Sequence, residues 1–378
     1  MYDMLLQIPV IGMSVPDFLV LLIAAFAGGA FGAAIGALPA FCVTGFMVIA
    51  GEAANILGRA LGEASALDSV YTAGVTGNIA FGAVFGPHIA FAGGAAAAAY
   101  AAKQDGAMPE PGDGDYHPAK DIAYALGTRP DVLAVGGIFG IIGAVGTALS
   151  GGLALPWDPI AIMVVVSAAL HRLAFGYPLI GAGDRNLLDM TPFEKGEKRV
   201  ATDGGDAMTD GGEPMTDGGM AEAKRLAVEP WLPHQYKWAN VAAIGIVTGI
   251  LGGFIAVKTG SAFLGFGISA ASLTFLNLGV EKIPVTHHMT LPASTAALAI
   301  FGGVPTGMNA VIAVVVAGIF GMYGALAGEV VQRIFYAHSD THFDPPAAAI
   351  VVATLTIVIL AIAGVFDGSS WVPALGLL

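Results

Sequence analysis

Three histidines stand in apolar surroundings, where an ionisable side chain needs a physical reason. His88 closes the sequence Phe85-Gly86-Pro87-His88, inside an apolar run from Ala73 to Ala102. His287 and His288 close Val285-Thr286-His287-His288 much later in the chain. An imidazole donates and accepts hydrogen bonds and changes charge near neutral pH, so it can hold a polar solute or pass a proton. Inside a bilayer such a group is costly and faces a cavity or a partner. Pro87 has no N–H, and a helix broken beside it frees backbone groups to meet a solute. Gly86, Pro87, His88, Thr286, His287 and His288 are therefore the candidate substrate-binding residues. The plainer alternative is a histidine bonded to a neighbouring helix carbonyl.

Other polar groups fall in apolar stretches. Asn78, in Thr76-Gly77-Asn78, could line a polar path or cap a helix, and joins the substrate-binding candidates. Glu52 and Glu329 lie toward the ends of apolar runs and could carry a proton or bind a cation, or simply reach water. Asp158 and Asp344 each precede proline, which reads as helix capping. His338-Ser339-Asp340-Thr341-His342 has metal-like spacing but reads as a solvated loop. Three histidines could ligate a metal, but no supporting carboxylates stand with them, so no metal or other cofactor is assigned. There is no phosphate-binding glycine loop, no Walker lysine and no Ser/His/Asp set, so enzymatic chemistry and ATP-driven transport are not expected. The lone cysteine, Cys42, lies in an apolar run and reads as inert packing.

Composition says what must position these groups. Only 11% of the 378 residues are charged, and mean hydropathy is +0.77. Apolar runs of bilayer-spanning length recur, without the short alternating segments of a β-barrel. The net charge of −13 sits mostly in loops, including Asp105 to Asp115 and Asp203 to Glu229. Dense carboxylates with few lysines suit hydration at very high salt, and so a halophilic archaeon. No basic face for nucleic acid exists.

Punctuation by Pro, Gly and charge predicts an all-α polytopic membrane protein of about ten spans. They are Phe18–Leu38, Ala40–Leu57 after a break at Pro39, Ala73–Ala102 with a break near Gly86-Pro87, Val132–Leu149 and Pro159–Leu173. The second set is Trp238–Val257, Ala262–Leu278, Ile283–Phe301, Ala310–Val331 and Pro346–Val365. Three domains follow: a first five-helix unit over 1–178, an acidic, disordered linker over 179–236, and a second unit over 237–378. Within the linker, Thr-Asp-Gly-Gly recurs at Thr202, Thr209 and Thr216 with no apolar seam.

The two units echo one another in order. Pro39-Ala40-Phe41 matches Ser261-Ala262-Phe263, and the His88 stretch matches the His288 stretch. Gly137-Ile138-Phe139-Gly140 with Gly143 matches Gly318-Ile319-Phe320-Gly321 with Gly324, and Asp158-Pro159 matches Asp344-Pro345. An odd number of spans per unit makes the second copy insert upside down. Of 15 Lys and Arg, alternation leaves Arg59 and Lys258 on one side and the rest on the other, which makes that other side cytoplasmic. Both termini are then expected outside and the linker inside.

On these features the chain resembles haloarchaeal multi-span proteins of the permease-like kind, without the motifs of a characterised family. The five-plus-five plan, with broken helices 3 and 8, is similar in outline to urea and ammonium channels and to several secondary carriers. That resemblance implies an integral membrane transporter of a small solute or ion, working by alternating access around the broken spans. A passive channel on the same repeat is the first alternative. A lipid- or pigment-binding membrane oligomer, or an intramembrane metalloenzyme, is the second. The partners expected are the solute, membrane lipid and, from the Gly/Ala-rich faces, further copies of the chain.

Overall fold

Gly and Pro set the helix boundaries. In the computed structural model, which describes residues 7–60, 74–109, 114–181, 186–200 and 222–378, Ser14 caps α1 (Val15–Ile35) by accepting from the Asp17 N–H. Gly36, at φ 95°, ends it, and α2 (Ala37–Ala60) begins at once. The break therefore falls at Gly36 and not at the expected Pro39. A positive φ suits glycine, whereas proline in a first helical turn has no N–H to lose there.

The next apolar run is interrupted as the sequence predicts. A helical turn ends at Ala80, Phe81–Phe85 is non-helical, and a π-helical turn, Pro87–Phe91, leads into α3 (Ala92–Ala101). Then come α4 (Pro130–Gly152) and α5 (Pro159–Ala174), the latter capped by Asp158 accepting from the Ile160 and Ala161 N–H groups. The short helix α6 (Thr191–Glu194) precedes an antiparallel pair, β1 (Lys198–Val200) and β2 (Glu222–Leu226). The second half holds α7 (Trp238–Thr259), α8 (Leu264–Asn277), α9 (His287–Ala299) and α10 (Gly307–Val331), which runs into a π-helical turn, Gln332–Tyr336. Last is α11 (Pro345–Ile362), capped by Asp344.

Six of these are long and apolar enough to cross a membrane: α1, α2, α4, α7, α10 with its continuation, and α11. α5 and α8 are apolar but shorter. The protein is all-helical and of multi-pass membrane type. Its side chains are sorted as a bilayer requires. Leu19, Val20, Ile23, Val247, Phe254, Val311 and Val315 are exposed, while the buried residues of α1 are Ala25, Gly28, Gly29, Gly32 and Ala33. Lipid tails are as apolar as leucine, so small inward residues and close backbone approach hold such helices together. A Cβ on Gly29 would strike the Gly136 carbonyl, which locks α1 to α4; one on Gly321 would strike the Gly245 carbonyl, which locks α10 to α7. Between the halves, α2 lies along α8 and α5 along α11.

The bundle has two distinct ends. At the linker end, Leu226 N–H donates to the Asp115 carbonyl and Gln235 bonds the backbone of Val285. The expectation of a disordered linker does not hold for residues 186–200 and 222–236, where Arg199, Arg225 and Glu229 find charged partners. The Thr-Asp-Gly-Gly repeats lie outside the described residues. At the opposite end, Arg59 donates to the Thr259 carbonyl and Leu375 N–H to that of Ala154.

Candidate functional site

Between the halves lies a cavity of about 800 Å³. The break at Gly86 presents Pro87 to it, and the start of α9 presents His287. The antiparallel helices α5 and α11 line it with corresponding residues: Asp158, Ala161 and Val164 from one, and Asp344, Ala347 and Ile350 from the other. Each pair is separated by the same interval (344 − 158 = 347 − 161 = 350 − 164 = 186).

An unbroken series of rings runs along the wall. From the opposite end inward, Trp371 and Phe263 have centroids 5.1 Å apart, Phe263 and Phe81 5.4 Å, and Phe81 and Phe266 5.6 Å. Phe266 to Phe41 and Phe41 to Phe91 are each 5.8 Å. The series continues through His342, 5.6 Å from Phe91, to Tyr336 at 5.4 Å and the Lys120 ammonium, 4.5 Å from the Tyr336 ring. His287 branches from it, 4.7 Å from Phe41, and its Nδ1 has no hydrogen-bond partner. Sequence reasoning singles out His287 and the stretch that holds His342, but none of the phenylalanine, tyrosine or tryptophan rings, although Phe41 and Phe263 belong to the matched triplets. Phenylalanine in an apolar segment carries no mark that separates a cavity wall from a core.

The mouth is at the linker end, where Asp121, Glu281 and Lys282 are exposed. Behind it lies a buried ionic cluster. Glu229 is fully buried and accepts from Lys120 Nζ at 2.6 Å, the His117 N–H at 3.3 Å and Arg225 Nε. Arg225 and Arg199 also reach Asp340, at 2.6 and 3.2 Å. Burial alone would raise the Glu229 carboxyl, but Lys120, Arg225 and Arg199 outweigh it and hold it below the usual range. Burial, reinforced by Arg225 and Arg199, brings the Lys120 ammonium down to about 8 against the pull of Glu229. Burial first, then Arg225, lowers the His117 imidazole to about 4.

Among the described residues, the opposite end is tied together by a different device. Glu52 in α2 accepts from Asn55 at 3.1 Å, from Thr76 at 2.9 Å and from Ser261 at 2.5 Å. Ser261 Oγ in turn accepts from the Phe263 and Leu264 N–H groups, so this carboxylate ties α2 to the start of α8.

The remaining candidates are distributed as follows. His88 and His288 do not line the cavity. The His88 ring folds over Gly86, and its carbonyl lies where a Cβ on Gly143 of α4 would sit. The His288 carbonyl stands likewise against Gly324 of α10, with its ring beside Gly328 and Trp231. Gly86 is buried beneath His88, and Asn78 is exposed away from the cavity. Thr286 is buried and bonds Ser269 at 3.0 Å. Glu329 accepts from Gln332 at 3.1 Å and from Arg333 at 2.6 Å, inside the structure and not at water.

The His338–His342 loop, expected to be solvated, is buried. Arg172 reaches in and donates to the hydroxyls of Thr341 and Ser339 and to the carbonyls of Leu179, Phe335 and Thr341, so the loop folds around a guanidinium. No group of three or more His, Cys, Asp or Glu side chains among the described residues is arranged to hold a metal.

Residues 10–375 match the Family of unknown function (DUF7973). The chain belongs to that family. No curated protein and no solved structure matches it. The reading of what this family member does therefore rests on its own geometry.

Proposed function

We propose that the protein is an integral membrane transporter of a small solute or ion. It consists of two inverted five-helix repeats and works by alternating access around the broken segments 74–101 and 283–299. The observation that carries the reading is the cavity between the halves, with exposed residues at the linker end and the described residues of the other end drawn together by the Glu52 cluster. The constant interval between the facing residues of α5 and α11, and the matching seats of the His88 and His288 carbonyls on Gly143 and Gly324, support the repeat. With the linker end in the cytoplasm, as the basic residues indicate, this is an inward-facing arrangement. A pathway blocked at one end argues for a carrier over an open pore.

The test is counterflow in proteoliposomes across a panel of small solutes. A carrier gives saturable uptake accelerated by internal solute; flux that rises linearly without counterflow identifies a channel. Cysteines at Arg59 and Thr259, in a chain with Cys42 replaced, allow a bifunctional thiol reagent to lock the opposite end. Locking should abolish counterflow and reductive release should restore it. Unaltered counterflow in the locked protein would count against alternating access. His287→Ala should slow flux with the fold intact, whereas His88→Ala should act mainly by lowering the thermal midpoint.

A further inference from the structure

We propose that the solute is a hydrophobic organic cation, a quaternary ammonium or phosphonium or a protonated amine with an apolar body. This rests on the transport reading and names its substrate class. Ring faces carry negative potential, and cages of them recognise organic cations. Here the rings follow one another without a gap of more than 5.8 Å from Trp371 to Tyr336. The cavity, about 800 Å³, is within the roughly 300–1,000 Å³ of sites that enclose drug-sized molecules.

Two carboxylates complete it, Asp158 buried and Asp344 partly buried. Asp158, 6% exposed, uses Oδ1 on the Ile160 and Ala161 N–H groups, and its Oδ2 has no hydrogen bond within the described residues. Asp344 holds the Ala347 N–H through one oxygen and His342 through the other. At the mouth, Asp121 and Glu281 add two carboxylates against Lys282, and Lys120 is already bound to Glu229. The helix starts at Pro87 and His287, and the His287 ring, work in the other direction and would favour an anion. The rings along the wall and the two carboxyl groups of Asp158 and Asp344 outweigh them. An inorganic cation would have to exchange its hydration shell for phenyl rings, so the apolar body is part of the recognition.

Equilibrium dialysis of the whole detergent-solubilised chain tests this, with tetraphenylphosphonium as probe, tetraphenylborate as its anion of like shape, and empty micelles as control. Saturable binding of the cation, and none of the anion above the micelle control, is expected. Asp158→Asn with Asp344→Asn should weaken the cation about tenfold, because asparagine caps a helix as well as aspartate but carries no charge. Phe266→Leu keeps an apolar wall and removes one ring, and should weaken it by a smaller factor. Equal or stronger binding of tetraphenylborate, absence of saturable cation binding, or undiminished binding by both variants would overturn the proposal. Binding without counterflow of the same cation would leave the site standing and remove the transport reading. Counterflow of another solute without cation binding would do the reverse.

Discussion

The two ends of the cavity are held by different chemistry. At the linker end, Glu229 and the cations Lys120, Arg199 and Arg225 around it are packed out of water, beside the partly exposed Asp340. At the opposite end one carboxylate, Glu52, gathers hydroxyl and amide donors from α2, the 74–80 turn and the start of α8. A buried ionic cluster is costly to break one partner at a time, because each loss strands a charge. A carboxylate held by neutral donors can exchange them for water at far smaller cost. The lesson is that the end now open is the rigid one, and the end now shut is the one able to let go.

The largest expected effect is at the rigid end. Glu229→Ala takes from the buried Lys120, Arg199 and Arg225 the carboxylate they share and should cost about 3–5 kcal/mol, read as a large fall in thermal midpoint or a loss of monodisperse protein. Glu52→Ala should cost less, roughly 1–3 kcal/mol, and should speed alkylation of a cysteine placed at Ser261. If Glu52→Ala proves the costlier of the two, the contrast between the ends is wrong.

Acid separates them further. His117 titrates at about 4 in the fold against 6.5 unfolded, so between those values the unfolded chain binds the extra proton. The His117 contribution to stability should therefore be flat above pH 6.5 and fall by about 1–3 kcal/mol as pH drops to 4. Glu229, lowered in the fold, adds its own loss at still lower pH. His117→Asn can still accept the Ala119 N–H and should flatten the slope between pH 6.5 and 4. A slope unchanged in that variant would assign the acid sensitivity elsewhere. Smallest is Arg59→Ala, which removes an exposed bond to the Thr259 carbonyl and should change stability by no more than about 0.5 kcal/mol, read as a nearly unmoved thermal midpoint.

Much of the fold was legible because its signals are local. Gly86-Pro87 breaks a helix wherever it stands, and Asp158 and Asp344 cap because proline follows each. The break at Gly36 was missed because Pro39, the more conspicuous residue, is harmless in a first turn. The linker's charges read as a spacer because the partners of Arg225 and Glu229 include Lys120 and Asp340, each more than a hundred residues away. The burial of His338–His342 was hidden for the same reason, since Arg172 is what folds that loop.

The histidines show where the division lies. Residue types alone determined an all-helical chain of long apolar segments rich in glycine and alanine, with two interrupted segments carrying imidazoles. Packing alone decided that Pro87 and His287 face the cavity while His88 and His288 turn to Gly143 and Gly324. Neighbours in a helix point about 100° apart, so one position separates a cavity wall from a helix contact. Which one faces inward is set by where a distant glycine lets two backbones meet.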